Sequence, residues 1–230
     1  MTGQRVWREG WCAWLRRLAG NSVTSLDETR WVMLDVETSG LDPRRDRLLA
    51  VAAIALQVDW SSRRIAIALG DSFEVVLRQD QLTEAKDNIL LHGIGVQRQR
   101  EGMAPEQALA ALADFVGHSP LLAFHAAFDR ALITRHMKLH LRSTFPQGLP
   151  NRWVDLEPLC AVTHEQVRAR SLDEWLAHFN IGCAVRHQAA ADTLAECELL
   201  LRIWPRLATQ CGCWADVERL AEQQRWIARA

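Results

Sequence analysis

Val32-Met33-Leu34-Asp35-Val36-Glu37-Thr38-Ser39-Gly40-Leu41 runs from an apolar stretch into two carboxylates and then a Thr-Ser-Gly turn. An apolar run of this length closed by a turn signal reads as a buried strand. Side chains two apart on a strand project from one face, so Asp35 and Glu37 point the same way. Two like charges at the end of a buried strand repel each other and lose hydration, and a cation between them relieves both costs. A divalent metal ion is the natural candidate. Taken alone, Asp-x-Glu equally describes a solvated strand end, and only the rest of the chain separates the two.

Working outward, residues 48–58 read as a second strand and 64–69 as a third, with 73–77 continuing it or forming a short extra one. No helix signal separates these strands, which implies an antiparallel meander. A helix over 105–116 leads to a short apolar strand at 121–124 and a helix over 127–141. Trp153-Val154-Asp155 makes a fifth strand, and further helices are expected over 156–167, 172–178, 188–203 and 214–228. Three consecutive strands followed by alternating helix and strand imply a mixed α/β sheet with helices on both faces. Upstream, Trp7, Trp11, Trp14, Leu15 and Leu18 recur at helical spacing with Arg8, Arg16 and Arg17 among them. This is an amphipathic helix whose Trp stripe packs on the domain's own flank, docks a protein partner or lies weakly on a membrane surface. The chain therefore divides into a Trp-rich extension (1–30), a main domain (31–204) and a C-terminal helix packed on or extending it (205–230).

With 230 residues, 49% of them apolar and 24% charged, the main domain has material for a full core without disulfide staples. A formal net charge of −1 excludes a uniformly basic surface, so nucleic acid would have to meet a local basic rim. The six cysteines (Cys12, Cys160, Cys183, Cys197, Cys211 and Cys213) form no Cys-x-x-Cys pair and no zinc spacing. Reduced thiols are expected. No stretch approaches the roughly 18 consecutive apolar residues of a membrane span, and no secretory signal core is evident. Together these imply a soluble, cytoplasmic protein.

Two more acids sit in telling places. His125-Ala126-Ala127-Phe128-Asp129 puts a carboxylate just past a buried strand, where it could equally be an ordinary acid at a helix N-terminus. In His187-Gln188-Ala189-Ala190-Ala191-Asp192, a five-residue offset on one helix would splay the side chains by about 140°. They converge only if His187 lies in the loop before the helix.

In DVETSG, HAAFD and HQAAAD, taken in order, the chain resembles the DEDDh superfamily of 3′-to-5′ exonucleases, which includes the proofreading subunit of bacterial DNA polymerase III, ribonuclease T and oligoribonuclease. The likeness spans residues 31–204, and LLHGIG at 90–95, VDLEPLC at 154–160 and SLDEWLAHFNI at 171–181 agree with it. It implies a ribonuclease H-like fold with a five-stranded mixed sheet flanked by helices. It also implies that Asp35, Glu37, Asp129 and Asp192 hold two divalent ions, Mg²⁺ or Mn²⁺, and that His187 is the general base. The sister subclass places a Tyr four residues before the last Asp; here that position is Gln188, and the chain contains no Tyr.

By the same likeness, Thr38, Ser39, Gly40 and Leu41 should hold the terminal nucleotide through backbone N–H groups and an apolar contact. His92, Ile94, His125 and Phe128 should complete the pocket, with plain core packing as the alternative for Ile94 and Phe128. The implied reaction is release of nucleoside 5′-monophosphates from 3′ ends of single-stranded DNA, or of RNA. The competing class is a non-catalytic adaptor that keeps the fold. One departure stands out: Ala126 occupies a position where many relatives carry Asn.

Overall fold

In the computed structural model the described residues are 26–80, 89–90 and 92–226, so the expected helix near Trp7 to Leu18 lies outside them. The first strand, β1 (Arg30–Thr38), is followed by β2 (Leu48–Asp59) and β3 (Arg64–Val76). Helices α1 (Val96–Glu101) and α2 (Pro105–Val116) precede β4 (Leu121–Ala123) and α3 (Ala127–His140). Then come β5 (Trp153–Asp155), α4 (Leu156–Thr163), α5 (Leu172–His178), α6 (Ala189–Gln210) and α7 (Trp214–Trp226). The strands form one sheet in the order β3-β2-β1-β4-β5. The first three are antiparallel, and β4 and β5 run parallel to β1. This is the mixed sheet that the strand pattern implied.

Strand alternation divides the core between the two faces. Trp31 and Met33 enter one cluster with Leu122, Leu159, Trp175, Leu199 and Trp214, under α4 to α7. Val32, Leu34 and Val36 enter the other with Leu109, Leu112, Leu132 and Met137, under α2 and α3. β1 is thus buried from both sides, which explains its continuous apolar run.

Several boundaries differ from expectation. Of the two expected alternatives, the segment at 73–77 continues the strand at 64–69, because the β2–β3 register slips between Ile54 and Ala55 and pairing resumes beyond it. Asp71, in that slip, accepts two bonds from Arg30, Nε–Oδ2 at 2.7 Å and NH2–Oδ1 at 2.9 Å, which ties the irregularity to the start of β1. β4 stops at Ala123, and α3 stops at His140. α4 ends at Thr163, where the hydroxyl bonds back to the Leu159 carbonyl. α6 does not stop at 203 but runs through Pro205 to Gln210. Its stripe of Leu200, Ile203, Trp204, Leu207 and Ala208 stays buried on both sides of the proline. That continuous burial outweighs the cost of about 3 kcal/mol that an interior proline exacts. α7 then docks Trp214 edge-on against Trp31, with ring centroids 4.7 Å apart. The five described cysteines are free thiols, and among the described residues no helix is long and apolar enough to cross a membrane.

Candidate active site

β1 carries Asp35 and Glu37 at its C-terminal end, on the face shared with α6, since they follow Trp31 and Met33 in the two-residue period. Just past Glu37 the pairing with β2 slips by one residue, from Glu37↔Ala50 to Thr38↔Leu48. A bulge here turns the chain out of the sheet directly after the second acid. The following turn is held by side chains: Ser39 Oγ donates to Asp46 Oδ1 at 3.2 Å and accepts the Arg47 N–H at 2.9 Å. Asp46 Oδ2 in turn accepts the Asp42 N–H at 2.7 Å. A Cβ on Gly40 would lie 2.6 Å from Asp46 Oδ2, so a side chain there would have to displace the carboxylate that holds the turn. Thr38 Oγ1 bonds the Gly40 carbonyl, and Leu41 projects into solvent at 91% exposure.

The Ser39 N–H already donates to the Arg47 carbonyl at 3.0 Å, which removes it from the donors expected to meet a nucleotide.

Asp129 lies in the first turn of α3 and is 3% exposed. The approach to that turn is fixed by Asp155 at the end of β5, whose Oδ1 accepts the His125 N–H at 3.0 Å and the Glu157 N–H at 3.1 Å. His125 itself is exposed and adopts φ 63°. Ala126, where relatives often carry Asn, is buried in the core cluster beneath α3, so a methyl group packs at that position.

The last acid arrives on α6. Asp192 is in the helix's first turn, and its Oδ2 accepts the His187 N–H at 2.9 Å. His187 stands before the helix with φ 61°, in the loop where the five-residue offset required it to be. Arg186 bridges Asp173 of α5, Nε–Oδ1 at 2.5 Å, and Asp192. The Cys183 thiol lies 3.4 Å from Asp192 Oδ1.

These elements bring one oxygen each of Asp35, Glu37 and Asp192 within 4.8 Å of one another. Burial pushes Asp35 well above the usual carboxylate range, and the charges of Glu196, Asp129, Glu37 and Asp192 add to the rise. Burial and Asp192 raise Glu37 to about 8, against the pull of Arg186. Asp129 is raised to about 8 by burial; its own backbone and that of Val36 oppose the rise, and Asp155 adds to it. Hard carboxylate oxygens this close form a donor set suited to Mg²⁺ or Mn²⁺. The Arg186 guanidinium against Asp192 marks the same demand for positive charge.

The remaining expected pocket residues are less open. His92 is 2% exposed, and its Nδ1 accepts the Ile94 N–H at 3.0 Å. Ile94 packs with Leu49, Ala50 and Val76, and Phe128 lies half-buried against the α2–α3 core. Both side chains thus take part in core packing. The loop nevertheless borders the site, since a Cβ on Gly93 would come 3.6 Å from Gln188 Nε2.

Sequence reasoning missed three neighbours of the acids. Glu196, 1% exposed, follows Asp192 by four residues on α6, a spacing that puts both on one helix face and was visible in the sequence. Arg186 and Cys183 touch Asp192 through loop geometry that no periodicity signals.

The family model RNase_T, described as Exonuclease, matches residues 32–200. A DNA polymerase III subunit epsilon-like protein of Rhodobacter capsulatus is 28% identical over 189 residues, covering 80% of this chain and 25% of the relative. An oligoribonuclease of Bordetella pertussis is 30% identical over 122 residues, covering 48% of this chain and 65% of the relative. Among solved structures, Escherichia coli exonuclease I in complex with a dT13 oligonucleotide shares the fold with a TM-score of 0.60 at 19% identity, over 78% of this chain and 42% of that one. The chain thus spans a quarter of the polymerase III relative and less than half of exonuclease I. With the family match running from the strand that carries Asp35 and Glu37 into the helix that carries Asp192, the chain belongs to the RNase_T exonuclease family.

Proposed function

We propose that the protein is a metal-dependent 3′-to-5′ exonuclease that hydrolyses phosphodiester bonds of single-stranded DNA and releases nucleoside 5′-monophosphates. The observation that carries this is the convergence of Asp35, Glu37 and Asp192, one oxygen of each within 4.8 Å of the others. Asp35, Glu37, Asp129 and Asp192 would hold two divalent ions, which supply positive charge to the attacking and leaving oxygens of an in-line phosphoryl displacement. His187 takes a proton from the attacking water as general base. The bond from its N–H to Asp192 fixes the His187 backbone against a metal-binding acid, so the base is registered to the site by the chain itself. Leu41, 91% exposed, offers an apolar face to the terminal base. Recognition by stacking and by the chain end does not read sequence, so frayed or unpaired ends are the expected substrates.

The test is hydrolysis of matched 5′-labelled DNA and RNA oligonucleotides with Mg²⁺, with Mn²⁺ and with chelator, beside a His187→Ala control. The expected result is a metal-dependent ladder shortening from the 3′ end, faster on DNA and lost in the control. A faster ladder on RNA would reassign the substrate. Folded protein with no ladder on either strand under any metal would overturn the enzyme reading and favour an adaptor.

A further inference from the structure

Glu196 is the buried acid that this chemistry does not use. It is 1% exposed, it lies one turn beyond Asp192 on the same face of α6, and its Oε2 has no hydrogen-bond partner among the described residues. A carboxylate oxygen left without a partner in a closed site is costly unless something positive comes to it. The charge of Glu196 acts on Asp35 more strongly than that of any other acid, ahead of Asp129, Glu37 and Asp192. Glu196 itself feels Asp129 first and Asp192 second. Glu37, by contrast, feels Asp192 and Arg186. Glu196 is therefore near enough to Asp35, Asp129 and Asp192 for their charges to act on one another. The single charge of Arg186 is shared between Asp173 and Asp192, so most of the negative charge of the five acids is left for divalent cations to meet.

We propose that Glu196 is a fifth carboxylate of the metal centre, holding the second divalent ion together with Asp35 and Asp129 while Asp35, Glu37 and Asp192 hold the first. The proposal rests on the two-ion reading above and deepens it. A position served by Asp35 and Asp129 alone has few protein oxygens, and a divalent ion there would bind loosely. Glu196 adds a hard, preplaced, unshared oxygen, and so makes occupancy of the second position a property of the protein before substrate arrives.

The probe is Mn²⁺ itself, titrated by calorimetry into the full chain, with the Mn²⁺ electron paramagnetic resonance spectrum read in parallel. Wild type should take up two ions and give the spin-coupled signal of an ion pair. Glu196→Gln keeps the shape and removes the charge; it should keep one ion at unchanged affinity, weaken the other at least tenfold and lose the coupled signal. Glu196→Asp keeps the charge but withdraws the oxygen by one methylene, and should weaken the same ion. Its charge leaves the electrostatics of the fold as they were, so it serves if the Gln variant does not fold. Asp192→Asn should instead weaken the ion that Glu196→Gln spares. Two ions bound by Glu196→Gln with wild-type affinities and a wild-type coupled signal would overturn the proposal. Wild type that binds no Mn²⁺ at all would instead overturn the metal-dependent reading on which it rests.

Discussion

A backbone bond ties His187 to Asp192. The His187 N–H donates to Asp192 Oδ2 at 2.9 Å, and the left-handed φ of 61° turns the residue out of the helix that follows. His187→Ala removes the ring and leaves that bond in place, so metal affinity and melting temperature should stay near wild type while kcat falls by roughly 10²–10⁴-fold, the usual contribution of a general base. A loss of Mn²⁺ binding in this variant would mean that His187 acts on the metal site, and the general-base role would then fail. At this scale the sequence was legible where a period governs geometry. Asp35 and Glu37 were paired by the strand repeat, and the offset between His187 and Asp192 required a loop for the histidine. Glu196 obeyed an equally plain helical period, but an acid on a helix ordinarily reads as solvated, and only tertiary packing reveals that this one is 1% exposed. The engagement of the Ser39 N–H was hidden for a related reason, because its partner, Arg47, lies eight residues away.

Elements were legible in kind and order, and less so at their ends. The β3 slip and the passage of α6 through Pro205 both depend on what the neighbouring element offers, Arg30 to Asp71 in one case and a continuous buried stripe in the other. A contact between elements that no motif announces is His136, which fastens α3 to β2. Its Nε2 accepts the Leu48 N–H at 3.2 Å, and its Nδ1 lies 2.9 Å from the Leu132 carbonyl, which fixes the neutral tautomer with the proton on Nδ1. Burial lowers its pKa to about 4, with Arg135 and His140 acting in the same sense against the Leu132 bond. The folded value lies below the unfolded one near 6.5, so the stabilising term is complete above about pH 6.5 and is lost as pH falls towards 4. Across that window wild type should lose on the order of 3 kcal/mol more than His136→Gln, measured as the difference in chemical denaturation. The comparison cancels the carboxylates common to both proteins. Parallel pH profiles for the two would show that the imidazole is protonated at no cost in the fold.

At the scale of the whole molecule, two cores on opposite faces of one sheet hold β1, α3 and α6 together against the mutual repulsion of the acids those elements carry. The molecule therefore sacrifices stability at this seam, and pH and metal should both reveal it. Glu37 and Asp129 have folded values of about 8, well above the unfolded carboxyl range near 4. Between those limits the folded protein holds protons that the unfolded chain has released, so metal-free stability should fall as pH rises from about 5 to 8. A divalent ion reverses the sign of the problem, since it stabilises the ionised acids and binds only where folding has assembled them. At 100 times its dissociation constant it should add about 2.7 kcal/mol, or roughly 5–10 °C in melting temperature for a chain of this size. Because protons compete with the ion for the same oxygens, the gain at fixed Mn²⁺ should be larger at pH 8 than at pH 6. Thermal melts with chelator and with Mn²⁺ at the two pH values decide it. A metal-free melting temperature that climbs steadily from pH 5 to 8, or a Mn²⁺ shift that shrinks with rising pH, would mean that the acids are not under the strain that their burial and proximity imply.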